Sequence, residues 1–370
     1  MVRKVKKVII AMSGGVDSSV AAALLKKKGY EAAGIFMKFW AEEKPPRSPF
    51  IKGGGKGDLN SLENRCCSFE AYSDARRVAN KLGISLYTLN MKVPFKKLVV
   101  DYFLKEYQSG RTPNPCVECN RFIKFGELLC KAKAIGAEYV ATGHYARISG
   151  GKLLKGKDPE KDQSYFLYTL TQDKLKHLLF PVGDYAKPRV RQMAKKFGLP
   201  VHAKKDSQEV CFVGASLKNF LKKYLKAKSG KIVESESGKV LGKHDGLPFY
   251  TIGQRRGLKL GGGPWYVVKI DTKKNILLVS RDQKKLLSKE LIAGKVNWVS
   301  GSAPKLPLRA KVKIRYKHKE APCVIKKIGN SRLQPAYKII FDKPQRAVTP
   351  GQSTVFYKGD EVLGGGIIEV

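Results

Sequence analysis

The apolar run Val8-Ile-Ile-Ala-Met12 leads straight into Ser13-Gly-Gly-Val-Asp-Ser-Ser19, and residues 18–28 then carry a helical pattern that Gly29 stops. A buried strand that feeds a helix through paired glycines leaves few folds open, because the chain is layered as strand, turn and helix from its start. Gly14 and Gly15 permit positive φ and close backbone approach. The N–H groups of the turn and the helix N-terminus form an anion site, to which Ser13, Ser18 and Ser19 add hydroxyl donors. The order Gly-x-x-x-x-Gly-Lys-Ser/Thr is absent, so no loop lysine reaches for a γ-phosphate. Asp17 is placed to order the loop or to hold Mg²⁺.

The pattern continues to about residue 212. Residues 32–37, 84–89 and 139–142 read as strands; 74–82, 94–107 and 125–135 read as helices, with Gly83 and Gly136 as stops. Strands that alternate with helices predict a doubly wound parallel sheet with helices on both faces. Two segments interrupt it: a Pro- and Gly-rich loop over 41–65, and a stiff Pro-rich approach over 108–120 to Cys116 and Cys119. Beyond residue 212 the pattern changes. A helix over 217–226 is followed by β-branched runs at 266–270, 276–279, 308–316 and 338–341, which predict antiparallel β structure and a small C-terminal barrel. The expected division is a catalytic α/β unit over 1–212, a small mixed α+β unit over 213–283 and a β-barrel over 284–370.

Lys and Arg number 72 against 31 Asp and Glu, a net charge of +41. A surface this positive repels itself unless it meets an anion, and nucleic acid is the first candidate. Arg309, Lys311, Lys313, Arg315, Lys317 and Lys319 alternate with apolar residues, so a strand through 309–319 would carry all six cations on one face. No apolar run approaches the ~20 residues of a membrane span. The N-terminus has no signal-peptide core, and a cytosolic protein with no membrane partner is expected.

Seven cysteines without a secretory signal argue against a disulfide framework. Cys116 and Cys119 form a C-x-x-C pair, Cys211 lies far downstream, and Cys66 and Cys67 are adjacent in the long loop. The pair suits a zinc half-site, a redox couple or iron–sulfur ligands. Cys130 and Cys323 read as packing residues.

Taken together, these segments resemble the tRNA 2-thiouridylase family of pyrophosphate-loop ATPases. The resemblance runs from Val8 to Val370. It is carried by Met12 to Ser19, Gly34-Ile-Phe-Met-Lys38, Gly110-Arg-Thr-Pro-Asn-Pro115 with Cys119-Asn120, and Ala141-Thr-Gly-His-Tyr145. Lys161-Asp-Gln-Ser-Tyr-Phe-Leu167, Phe180-Pro-Val-Gly183, Asp206-Ser207 with Cys211-Phe212, Thr251-Ile-Gly-Gln-Arg255, Pro264-Trp-Tyr-Val-Val268 and Thr349-Pro-Gly-Gln352 complete it. The resemblance implies ATP, split between its α and β phosphates, at Ala11, Met12, Ser13, Gly14, Gly15, Val16, Asp17, Ser18, Met37 and Gly143. It implies target-base contacts at Asn114, Pro115 and Cys116, and tRNA contacts at His144, Lys161, Asp162, Gln163, Arg315, Tyr316 and Gln352. It further implies Cys119 as nucleophile and Cys211 as the cysteine that receives sulfur from a desulfurase or a relay protein. Some members carry an acidic residue where this chain has Cys116.

The reaction so implied is adenylation of the wobble-uridine O2, with Mg²⁺ offsetting charge, followed by sulfur attack at C2. Two sulfur routes stay open: a persulfide on Cys211 that Cys119 resolves as a disulfide, or sulfide on a four-iron four-sulfur cluster held by Cys116, Cys119 and Cys211. Two other readings fit parts of the chain. A small-molecule adenylating enzyme explains the loop but not the basic barrel, and a non-catalytic RNA-binding protein explains the charge but not the intact loop.

Overall fold

The structure, a computed structural model, describes residues 5–42, 68–205, 210–214, 216–329 and 335–369. Cys66, Cys67, Asp206 and Ser207 lie outside the described residues, as does nearly all of the 41–65 loop. The first strands are Lys7–Ala11 (β1), Glu31–Lys38 (β2), Leu86–Asn90 (β3) and Tyr139–Ala141 (β4). After a hairpin of Ala146–Ser149 (β5) and Lys152–Lys155 (β6) comes Leu178–Leu179 (β7). The sheet order is β3-β2-β1-β4-β7, all parallel. The order reverses between β1 and β4, and in such sheets ligands bind at the carboxyl ends of the two strands beside that switch.

The pleat explains why both faces are covered. Ile9, Ala11, Ile35 and Met37 enter one core cluster with Phe95, Phe103 and Ile123. Val8, Ile10, Met12 and Phe36 enter another with Val20, Ala75 and Val190. The expected α/β architecture is therefore present. Helix Phe69–Leu82 starts five residues earlier than the sequence pattern suggests, because Ser68 caps it and accepts from the Ala71 N–H at 3.1 Å.

Two expectations are corrected here. The 108–120 segment is not irregular up to the cysteines: the chain turns helical at Pro115, where a proline at N1 is pre-set for the helix. Pro115–Glu118 is α-helical, Cys119–Glu127 π-helical and Leu128–Ala134 α-helical again, so Cys116 and Cys119 sit on the first turns. Cys130 is exposed rather than packed, whereas Cys323 is buried as expected.

Gly230–Glu234 (β8), Val240–His244 (β9), Tyr266–Asp271 (β10) and Ile276–Ser280 (β11) form a mixed sheet in the order β10-β11-β8-β9. Leu287–Trp298 (β12), Leu308–Lys313 (β13), Ala321–Ile328 (β14), Ala336–Arg346 (β15), Ser353–Lys358 (β16) and Glu361–Ile368 (β17) follow. They pair antiparallel as β12-β15-β14-β13-β16-β17, and β12 also pairs with β17, which closes a six-stranded barrel. The hairpin β5–β6 joins this sheet through Leu154 opposite Glu361, tying the first unit to the barrel.

The run of alternating cations is not one strand face. β13 ends at Lys313; Ile314 is still buried, but Tyr316 packs its ring 4.4 Å from that of Phe166 and draws the chain out of the pleat. Arg309 pairs with Asp342, and Lys313 turns toward Asp162 at 3.8 Å. No helix among the described residues is long and apolar enough to cross a membrane.

Candidate nucleotide and target-base site

The glycine loop sits at the carboxyl end of β1, beside the switch point. Gly14 has φ +69°, and a Cβ there would lie 2.1 Å from the Ala71 carbonyl oxygen, so the start of helix Phe69–Leu82 backs the loop. Ser18 and Ser19 donate to the Gly15 carbonyl at 3.2 and 2.8 Å, and the Ser13 N–H donates to the Ser18 hydroxyl at 3.3 Å. Ala11, Met12 and Val16 are buried, and the Met12 N–H is spent on the Ile35 carbonyl at 2.9 Å, so Ala11 and Met12 close the sheet edge that carries the loop. Met37 is 7% exposed at the carboxyl end of β2, within the core cluster. Gly143 follows β4. A Cβ on it would meet the Ser18 nitrogen at 2.6 Å and Asp17 carbonyl carbon at 2.7 Å, so only glycine lets the end of β4 close on the start of helix Val16–Lys27.

Asp17 is held from two sides. The Lys187 ammonium donates to both carboxylate oxygens at 2.8 Å, and the Tyr145 hydroxyl donates to Oδ1 at 2.7 Å. Lys187 is 7% exposed and opens helix Lys187–Lys196, where its backbone N–H donates to Asp158 at 2.8 Å. Sequence reasoning missed Lys187, since one lysine among so many carries no compositional signal; its place before Pro188 at a helix start was the only cue. A Mg²⁺ at the loop would take Asp17 as its carboxylate ligand in place of the Lys187 ammonium that its oxygens now accept from, with oxygens of the nucleotide and water for the rest.

The candidate target-base segment is fixed by all three parts of the chain. The Thr112 N–H donates to the Pro350 carbonyl at 2.9 Å, and the Thr112 carbonyl accepts from Gln352 Nε2 at 2.9 Å. The Thr112 hydroxyl meets that of Thr251 at 3.1 Å. The Gln352 amide is thus spent on the segment that leads to Asn114. Tyr165 is hydrogen-bonded to Asn114 and donates to the Ser353 carbonyl at 2.8 Å. Burial, then Asp162, Asp158 and Cys116, push the Tyr316 phenol up to about 12, which sets Tyr316 among the groups around Cys116. Arg315 is half-buried beside Tyr165 and Arg346, and burial lowers its pKa.

Other candidate residues point inward. Asp162 is 5% exposed and accepts from the Gly156 and Ser164 N–H groups, both at 3.0 Å. Gln163 accepts from the Tyr145 N–H at 3.0 Å, and the Lys161 N–H donates to Asp158 at 3.2 Å. The three therefore shape one loop against the nucleotide side. His144 is buried, lies 2.6 Å from the Thr142 hydroxyl, and has its pKa held well below the ordinary range by burial and then by Lys124.

Pro115 and Cys119 are buried, Cys116 is exposed, and Cys211 is half-buried against the same core cluster as Cys119. Among the described residues no three Cys, His, Asp or Glu side chains gather to hold a metal ion, so Cys116, Cys119 and Cys211 do not fit a cluster in this arrangement. Asn120, also missed as a site residue, is 2% exposed and donates through Nδ2 to the Phe166 carbonyl at 3.2 Å. Its Oδ1 has no hydrogen-bond partner. An orphaned buried acceptor costs about 1–3 kcal/mol and calls for an explanation.

Three family models match the chain: a tRNA methyl transferase HUP domain over residues 6–215, a tRNA methyl transferase PRC-barrel domain over 218–281 and an aminomethyltransferase beta-barrel domain over 288–368. The tRNA-specific 2-thiouridylase MnmA of Clostridioides difficile strain 630 is 48% identical over 374 residues, 98% of each chain. The protein of the same name from Carboxydothermus hydrogenoformans is 46% identical over 376 residues, again 98% of each. A solved 4-thiouridine synthetase–RNA complex with bound ATP matches 56% of this chain and 44% of its own at 18% identity and TM-score 0.34. With such identity to 2-thiouridylases across nearly the whole length of both chains, the chain belongs to the tRNA-specific 2-thiouridylase MnmA family.

Proposed function

We propose that the protein is an ATP-dependent sulfurtransferase that replaces the C2 oxygen of the tRNA wobble uridine by sulfur. The observation that carries this is the pairing of two sites in one chain: an Asp17–Lys187 anion loop at the switch point, and a cysteine-bearing helix start overlooked by Arg315 and Tyr316 from the basic barrel. The work divides over 1–212, 213–283 and 284–370, with catalysis and the target-base contacts in the first unit and further RNA contacts in the other two.

ATP lies with its phosphates on Ser13 to Ser18, its adenine against Met37, and Gly143 beneath. Backbone N–H groups and Lys187 offset the charge that grows on the leaving pyrophosphate. Bound Mg²⁺ supplies Lewis-acid charge there, with Asp17 as its protein ligand. The uridine O2 attacks the α-phosphate, and pyrophosphate leaves. Asn114, Pro115 and Cys116 frame the base; His144, Lys161, Asp162, Gln163, Arg315, Tyr316 and Gln352 contact the tRNA or set the loops that do. The Asn120 Oδ1 suits the N3–H of a uracil, a donor that cytosine lacks.

Sulfur then follows a persulfide route. The terminal sulfur of a Cys211 persulfide attacks C2 and AMP leaves, joining base and protein through a disulfide. The Cys119 thiolate attacks the Cys211 sulfur, the thiolated base departs, and a Cys119–Cys211 disulfide remains for a thiol reductant to open. The sulfur comes from a persulfide donor in the cytosol. The cluster route through Cys116 is the second reading, favoured only by the third thiol. AMP release tests the whole: strict dependence on tRNA supports thiolation, dependence on a small molecule supports an adenylating enzyme of other specificity, and no release supports a non-catalytic RNA binder.

A further inference from the structure

The turn that follows β13 borders a hollow of about 570 Å³ on the barrel. Arg315, Lys317, Lys319 and Lys343 bring cations to it, and Ala321 and Pro322 give it an apolar stretch. Its two acids are committed to cations outside the hollow: Glu320 pairs with Lys155, and Asp342 takes the fork of Arg309 at 2.7 and 2.5 Å. The lining cations therefore keep their charge for a ligand. His318 also lines the hollow, and its buried Nδ1 has no hydrogen-bond partner.

These features describe a nucleotide better than a bare anion. Cations answer a phosphodiester, an apolar stretch answers a base face, and the His318 ring in the lining answers a base edge. The volume is in the range of small-ligand pockets. Arg315 lines this hollow while its chain neighbour Tyr316 belongs to the surroundings of Cys116, so the two sites share a wall.

We propose that this hollow is a second nucleotide subsite, which holds a loop nucleotide neighbouring the target uridine, with its phosphate on Lys317 and Lys319 and its base edge on His318. This rests on the reading that RNA is the substrate. Binding to one hollow beside the reactive one would splay the loop and help lift the target base from its stack.

The test uses the full-length protein and stem-loop RNAs that carry the target uridine, each with one abasic replacement at a neighbouring loop position. Affinity is measured at one fixed salt concentration for wild type, His318→Ala and Lys319→Glu. One position should cost wild type roughly tenfold, and that cost should vanish in His318→Ala while the costs at other positions persist. Lys319→Glu, at an exposed position, should weaken all the RNAs. Equal abasic costs in wild type and His318→Ala would overturn the subsite, even where RNA is bound and thiolated. Failure of wild type to bind any RNA would overturn both the subsite and the RNA reading.

Discussion

The Lys187 ammonium lies 2.8 Å from both carboxylate oxygens of Asp17, across 170 residues of sequence. One of the two residues lies in the first turn of the helix after the glycine loop, and the other opens helix Lys187–Lys196, which shares a core cluster with it. Their pairing places a buried ammonium beside the glycine loop proposed to take the phosphates of ATP. Exchange of this ammonium for Mg²⁺ on Asp17 would give the loop one state before ATP binds and another after.

Lys187→Met should therefore remove charge stabilisation from pyrophosphate departure. We expect tRNA-dependent pyrophosphate release to fall by roughly a hundredfold or more, with tRNA affinity within about twofold. Lys187→Arg should restore part of the rate, since it keeps the cation but not its fit. Release at the wild-type rate in Lys187→Met would remove Lys187 from the site.

Gly143→Ala forces a methyl against the Asp17 and Ser18 backbone, with contacts of 2.6 and 2.7 Å before relaxation. Overpacking of this kind costs about 1–3 kcal/mol. The expected signature is a lower melting temperature with weakened ATP binding and unaltered tRNA binding by titration. An equal loss of both affinities would mean that the strand end at Gly143 serves more than the nucleotide.

Asn120→Leu should separate function from stability. It removes an orphaned buried acceptor but also the Nδ2 donor to the Phe166 carbonyl, so a modest fall in melting temperature of a still-folded protein is expected beside the kinetic effect. If Oδ1 meets uracil N3–H, kcat/KM on tRNA should drop by roughly tenfold or more, with ATP binding intact. Unchanged kinetics would leave the orphan without a ligand.

Much of this was legible in the chain. Val8 to Ser19 foretold strand, loop and helix because glycine pairs and hydroxyls have few other uses there. The barrel was legible in its β-branched runs, and its closure through β12 and β17 was not, since strand pairing at that distance leaves no local trace. The six alternating cations misled: period-two alternation continues past Lys313, but a ring contact between Tyr316 and Phe166 ends the strand, and no local pattern reports a contact 150 residues away. Lys187, Asn120 and the Thr112 junction were hidden for the same reason. Each matters through partners remote in sequence.

His144 predicts a pH effect. Its folded pKa lies below the ordinary ~6.5 of the unfolded chain, so below that pH the unfolded state binds the extra proton. Its contribution is therefore fully present above pH ~6.5 and is lost as pH falls below it. Melting curves from pH 7.5 to 5 should show a decline that is shallower in His144→Gln. The same slope in both proteins would mean that other groups, such as the buried-shifted His244 and His318, carry it.

Nucleoside mass spectrometry of tRNA incubated with the protein, ATP and a persulfide donor reads sulfur transfer itself. Wild type and Cys116→Ser should convert the wobble uridine to 2-thiouridine with one AMP released per sulfur, while Cys119→Ser and Cys211→Ser should form none. A colourless, iron-free protein that leaves the wobble uridine unchanged while a brown preparation thiolates it, and loses both colour and activity in Cys116→Ser, would contradict the persulfide account; tRNA left unmodified by every preparation would contradict thiolation altogether.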